Sequence, residues 1–143
     1  GMQTLSIGEV AKKCGISVET LRFYERKSLI SPDSRSEGGY RQYSPLAIQR
    51  VNFIQHAKAV GFSLKEVAEL LNLRHSPSST CADIKQRATQ KIEDIDTRIA
   101  ALTEMRSALM DLSTRCQSSS DIGECPILEA FDRIVDDDSS VGC

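Results

Sequence analysis

The chain has 143 residues, 40% hydrophobic and 27% charged, a composition that suits one globular domain or a small domain with an appendage. No run approaches the ~20 apolar residues that span a bilayer, and the N-terminus lacks the basic-then-apolar pattern of a signal peptide, so a cytoplasmic protein with no membrane partner is expected. The net charge of −2, from 18 Lys and Arg against 20 Asp and Glu, by itself argues against nucleic acid as the partner.

Gly1 ahead of Met2 reads as a remnant of an expression tag. Ser6-Ile7-Gly8-Glu9 has the form of a capping box, so a short helix is predicted from Ile7 to near Gly15, with Ile7, Val10 and Ala11 on one face. Ser17 caps a second helix, Val18 to about Lys27. Two short helices joined through Cys14-Gly15-Ile16 match a helix-turn-helix. Pro32, Asp33, Gly38 and Gly39 are turn formers, and Arg41-Gln42-Tyr43 alternates like a strand. These predict a small hairpin, or wing, with Gly38-Gly39 at its tip. Ser44-Pro45 reads as cap and first-turn proline of a helix reaching about Val60 and stopped by Gly61. A second capping box, Ser63 to Glu66, starts a helix to about Leu73, and residues 75–79 form a polar break.

The longest regular stretch follows. Thr80-Cys81-Ala82-Asp83 has capping-box form with Asp in place of Glu, and no Gly or Pro occurs from there to Arg115. Ala88, Ile92, Ile95, Ile99, Leu102 and Leu109 recur at spacings of four and three, a heptad seam that Arg106 interrupts. A helix of ~35 residues is ~52 Å long, and so narrow a stripe asks for a partner helix, most economically that of a homodimer. Cys116 to Glu124 is polar and loop-like, Cys125-Pro126 opens a short apolar helix, and the acidic tail from Asp136 is expected to be disordered.

The charge divides with the chain. Residues 1–75 hold eleven Lys and Arg against seven Asp and Glu, a net of +4, and residues 76–143 hold seven against thirteen, a net of −6. The average of −2 therefore conceals a basic module fit to meet nucleic acid.

Five cysteines without a secretion signal point to reduced thiols rather than a disulfide framework. Cys81 and Cys116 flank the long helix, so within one chain they cannot share a metal. They can share one if two such helices pair antiparallel, with Cys125 folding back beside Cys116. The predicted site is Cys116 and Cys125 of one subunit with Cys81 of the other. Both Cys81 and Cys125 open helices, where exposed N–H groups favour the thiolate. The competing reading is three small buried hydrophobes. Of the two histidines, His56 is expected to pack or face solvent, and His75 is an outside candidate ligand. Cys14 is expected in the core, and Cys143 is a tail thiol able to serve as an auxiliary ligand. No acid–base or nucleophilic constellation occurs, so an enzyme is not expected.

In chain order, these pieces resemble the MerR family of bacterial transcription regulators. Ile7-Gly8-Glu9-Val10-Ala11 and Val18-Glu19-Thr20-Leu21-Arg22-Phe23-Tyr24-Glu25 are similar to its helix-turn-helix, Gly39-Tyr40-Arg41-Gln42-Tyr43 to its wing, and residues 61–71 to its next helix pair. The resemblance implies a mainly α fold: a winged helix-turn-helix DNA-binding domain over residues 4–75, a long antiparallel coiled-coil dimerisation helix over 80–115, a metal-binding loop and short helix over 116–135, and a tail over 136–143. It implies a homodimer on palindromic double-stranded promoter DNA, acting with RNA polymerase. Thr20, Arg22 and Tyr24 are the expected DNA contacts of the second helix, Arg41 and Tyr43 those of the wing, and Lys58 a more distant phosphate contact.

Cys81, Cys116 and Cys125 fall where metal-sensing members carry their ligands. Copper and gold sensors usually have Ser at the place of Cys81. A Cys there resembles the divalent-metal branch of mercury, lead, cadmium and zinc sensors. Zinc sensors often carry a second Cys beside the Cys116 position and a His in the following loop, whereas Gln117 follows here and the loop has no His. Mercury members share the separations of 35 and 9 residues between the three cysteines. A redox sensor using the same cysteines is the alternative reading.

Overall fold

The computed structural model describes residues 3–117 and 121–138, with side chains described as far as residue 133. It divides into two compact units, one spanning Gly1–Lys91 and the other Ile92–Cys143. Among the described residues no helix is long and apolar enough to cross a membrane.

In the first unit, α1 (Ile7–Cys14) and α2 (Val18–Arg26) form the helix-turn-helix. Ser6 and Glu9 close the expected capping box: the Glu9 amide donates to Ser6 Oγ at 3.1 Å, and the Ser6 amide donates to Glu9 Oε1 at 3.0 Å. Gly15, at φ 68°, ends α1 in the left-handed conformation that costs glycine no steric penalty. Helix α2 ends in the same way, with the Leu29 amide reaching back to the Tyr24 carbonyl at 2.9 Å and that of Ser28 to Glu25 at 3.0 Å. Here the left-handed residue is Ser28, at φ 60°. Ser28→Gly is therefore expected to stabilise the unit by about 0.5–1 kcal/mol, the relief of left-handed strain offset in part by glycine's looser unfolded chain. A rise of a few degrees in Tm would register it, and a fall would show that Ser28 is unstrained.

Strands β1 (Ser34–Arg35) and β2 (Arg41–Gln42) make the wing, antiparallel, with Ser34 opposite Gln42 and Arg35 opposite Arg41. Gly39 turns its tip at φ 82°. Residue Leu5 pairs with Tyr43, exchanging both backbone hydrogen bonds at 2.8 Å, so the chain ahead of α1 braces the wing. No local pattern announces this contact across 38 residues.

Helices α3 (Leu46–Ala59) and α4 (Leu64–His75) complete the module. Ser44 is not the helix cap expected of it. The cap position falls on Pro45, whose side chain has no oxygen to offer, and the Ser44 amide is held by the Asp33 carboxylate. Helix α4 has its predicted Ser63–Glu66 capping box and runs two residues beyond the expected Leu73. The core gathers Leu5, Val10, Ala11, Leu21, Tyr24, Leu29, Ile30, Tyr43, Val51, Ile54, Val67 and Leu71, with Phe23, Phe53 and Phe62 half-buried against it.

Helix α5 (Cys81–Arg115) is unbroken. The Thr80 amide donates to Asp83 Oδ2 at 2.8 Å, the half of a capping box that an Asp can supply. The first unit does not stop at the polar break, because the opening turns of α5 are tied to α4. Arg87 pairs with Glu69, and Lys91 Nζ donates to Glu66 Oε1 at 2.8 Å while lying 5.5 Å from the Phe62 ring centre. Lys91 is thereby 8% exposed.

Glu66 accepts from Lys91 first, and from the Ser63 amide, and its carboxyl is held at about 2, below an ordinary 4.5. A carboxyl depressed in the folded state stabilises that state above its unfolded value. This contribution is fully present above about 4.5 and is lost as pH falls from there toward about 2. The urea midpoint is accordingly expected to drop on acidification through this range, and to drop less steeply in Glu66→Gln. Equal slopes in the two proteins would remove Glu66 from the acid response.

In the second unit, α5 leaves Ile92, Ile95, Ile99, Leu102, Met105 and Leu109 exposed along its side. A 3-10 turn, Ile122–Glu124, leads to α6 (Pro126–Asp138), so the acidic stretch expected to be disordered from Asp136 is helical through Asp138. The remaining tail residues, Cys143 among them, lie outside the described residues.

Candidate functional site

The residues expected to meet DNA divide into two groups. Thr20, Arg22 and Lys58 stand on the surface or near it. Thr20 is the third residue of α2, its amide donating to Ser17 Oγ at 3.1 Å and its hydroxyl 2.9 Å from the same oxygen. Arg22 is exposed and pairs with Glu19 at 3.1 Å, an ion pair between open side chains that is worth little and easily exchanged for a phosphate. The Lys58 ammonium lies 5.9 Å from the Tyr24 ring centre, on an otherwise exposed side chain. Arg26 and Lys27 flank the Phe23 ring, adding two cations beside α2.

Tyr24 and Tyr43 do not belong with them. Tyr24 is 1% exposed and Tyr43 wholly buried, so both rings belong to the core. The helical period turns Tyr24 inward with Leu21, and the Leu5 pairing turns Tyr43 inward with the N-terminal segment. Burial raises the Tyr24 phenol above its ordinary value. For Tyr43, burial and then the hydrogen bond it donates to Glu25 push the phenol far up.

Glu25 is the residue that sequence reading passed over. It sits near the end of α2 and receives Arg41 Nε from the wing, at 2.8 Å to Oε2 and 3.1 Å to Oε1, with the Tyr43 hydroxyl 2.6 Å from Oε1. Burial opposes its ionisation, but the donors Tyr43 and Arg41 prevail and hold its carboxyl below the usual range. Arg41 is thus 28% exposed by side chain and tethered, not a free surface charge. Tyr40, next to it at the wing tip, is 76% exposed. The signal for Glu25 in the sequence was only a charge facing the module's interior, since its partners lie 16 and 18 residues away.

The thiols stand as follows. Cys81 is the first residue of α5 and Cys116 the one after its last, both exposed and free. Cys125 precedes α6 and is half-buried and free. Among the described residues no three His, Cys, Asp or Glu side chains converge as a metal-binding group. His75 lies 3.4 Å from Arg50 by Nε2. His56 is exposed. Cys14 packs half-buried against the core, with Sγ 4.0 Å from the Ile48 carbonyl oxygen and burial raising its thiol.

Residues 5–73 match the family described as MerR HTH family regulatory protein, and residues 48–112 the one described as MerR, DNA binding. The chain is 43% identical over 125 residues to the mercuric resistance operon regulatory protein of Bacillus cereus, covering 87% of this chain and 95% of that one. It is 38% identical over 125 residues to the HTH-type transcriptional regulator CueR of Salmonella typhimurium, over 87% of this chain and 90% of that protein. A crystal structure of a transcription regulator from Ralstonia metallidurans in complex with lead(II) superposes at a TM-score of 0.81 with 35% identity, over 89% of this chain and 98% of that one. A helix-turn-helix, wing, helix pair and long helix in this order, with such identity along nearly the whole length, place the chain in the MerR family of DNA-binding transcription regulators, which are not enzymes.

Proposed function

We propose that this protein is a metal-responsive transcription regulator of the bacterial cytosol. As a homodimer it binds a palindromic promoter, and it responds to a thiophilic divalent cation: mercury, lead, cadmium or zinc. Arg22 and Thr20 reach the major groove from α2, while Arg41 and Lys58 take phosphates. The lead(II) complex of the Ralstonia relative and the mercuric-resistance name of the Bacillus one support this effector class.

The observation that carries the reading is the pair of unfinished features in one chain. Three free thiols border the ends of α5 and the start of α6, no group of three potential ligands forms among the described residues, and an apolar seam along α5 is left open. An antiparallel second copy completes both. The donor set of three sulfurs with no nitrogen fits soft cations. A bound cation would bridge the thiolates of Cys116 and Cys125 with Cys81 of the partner subunit. Drawing these segments together favours one arrangement of the dimer, and the difference must amount to a few kcal/mol to shift transcription. The effect reaches polymerase as work done on promoter DNA by the two wings and recognition helices.

A promoter reporter challenged with mercury, lead, cadmium, zinc and copper salts, and separately with peroxide, tests this. Induction by one or more of the divalent thiophilic metals and not by peroxide is expected. Induction by peroxide alone would replace the reading with thiol-based redox sensing.

A further inference from the structure

We propose that Glu25 is a positioning residue of the DNA interface: it grips Arg41 by the Nε edge so that the Nη groups of the same guanidinium are presented to a backbone phosphate. This rests on the reading of the protein as a promoter-binding regulator.

A guanidinium carries five N–H donors in a fixed plane. Glu25 takes only the one on Nε, with both carboxylate oxygens, and the Tyr43 hydroxyl anchors that carboxylate from the core side. The Nη groups of Arg41 form no hydrogen bond with any described residue, and the side chain remains 28% exposed. Among the described residues the planar group is therefore held at one edge only, the arrangement suited to a phosphate.

The wing supplies an independent observation. Its register sets Arg35 directly opposite Arg41. Like charges facing one another across a strand pair are destabilising, and a hairpin of two residues per strand has little to set against that cost. Arg35 is steadied by the Gly39 carbonyl at 2.9 Å, and Arg41 by Glu25. Both guanidiniums act on Glu25, which is the one carboxylate these contacts supply for two cations, so a phosphate facing the wing would relieve the remaining repulsion.

A carboxylate close to a polyanion ordinarily opposes binding. Neutralising a bystander would tighten the complex, and neutralising a positioning group would loosen it. A duplex selected from a random pool by the wild-type protein is the probe, with affinity followed across a salt series. Glu25→Gln is expected to weaken binding roughly fivefold or more, and to flatten the log–log salt dependence by about one ion. Arg41→Gln should do the same, and the double variant no more than Arg41→Gln alone. Arg41→Lys keeps the charge but has no second edge, so it should behave like Arg41→Gln; this variant on the wing surface decides the matter if Glu25→Gln fails to fold. Tighter binding by Glu25→Gln, an unaltered salt slope, or wild-type behaviour of Arg41→Lys overturns the proposal. A wild-type protein that selects no duplex at all would overturn the regulator reading as well.

Discussion

Serine at position 81, 116 or 125 is expected to abolish metal-induced transcription while promoter affinity stays within about twofold of wild type. The hydroxyl of serine differs from a thiol by one atom, but at neutral pH it is not an anion and it is too hard a donor for these cations. Loss of one of three sulfurs should weaken metal binding by more than the roughly 10–100-fold that follows loss of a group merely supporting a ligand. The fold has little stake in the exchange, because Cys81 and Cys116 are exposed and Cys125 is half-buried. Unchanged melting, retained promoter binding and lost induction in each variant is the expected pattern in a reporter and gel-shift pair. Induction that survives in all three would remove the thiols from the mechanism. Mixing Cys81→Ser with Cys116→Ser chains adds a test of the shared site, since one of the two sites in the mixed dimer then keeps all three sulfurs and some response should return.

Ile99→Glu is expected to convert the protein to a monomer and to cost at least about 100-fold in promoter affinity, because the two half-sites are then no longer bound as one unit. Ile99 is 55% exposed within one chain, near the middle of a seam that includes Ile92, Ile95 and Leu102. A carboxylate there must be desolvated against a facing apolar seam for the helices to pair. The first unit contains none of these seam residues and should keep its fold. Ala101→Glu, exposed and off the seam, is the control and should leave the sedimentation coefficient and affinity unaltered. A dimer that survives Ile99→Glu would place dimerisation elsewhere.

The sequence was most informative where structure is local. Ser6 with Glu9 and Ser63 with Glu66 form the capping boxes their spacing announced, and Gly15 and Gly39, read as a helix end and a turn tip, both take positive φ. The long α5 followed from the absence of Gly and Pro and the seam along it, all matters of one helical turn to the next. Charge splitting by segment pointed to a basic module that the average of −2 concealed.

What escaped the sequence depends on partners far along the chain. The family resemblance alone sets Tyr24 and Tyr43 among the DNA contacts, and it carries no information on burial. Their burial was decided by α2 packing on the module and by Leu5 pairing with Tyr43 across 38 residues. The cap position of α3 falls on Pro45 rather than Ser44, whose amide donates to Asp33, and ion pairs of Arg87 with Glu69 and Lys91 with Glu66 tie the opening turns of α5 to α4.

The sequence by itself therefore determined the helices, the starts marked by capping boxes, the wing tip, the basic module and the family. Propensity, capping and periodicity act over three or four residues and are written in neighbouring letters. Only the tertiary structure decided which charges and rings face inward. It made Glu25 the tether of Arg41 and left the α5 seam exposed, because hydrogen bonds and burial join residues that the chain keeps 16, 18 or more positions apart.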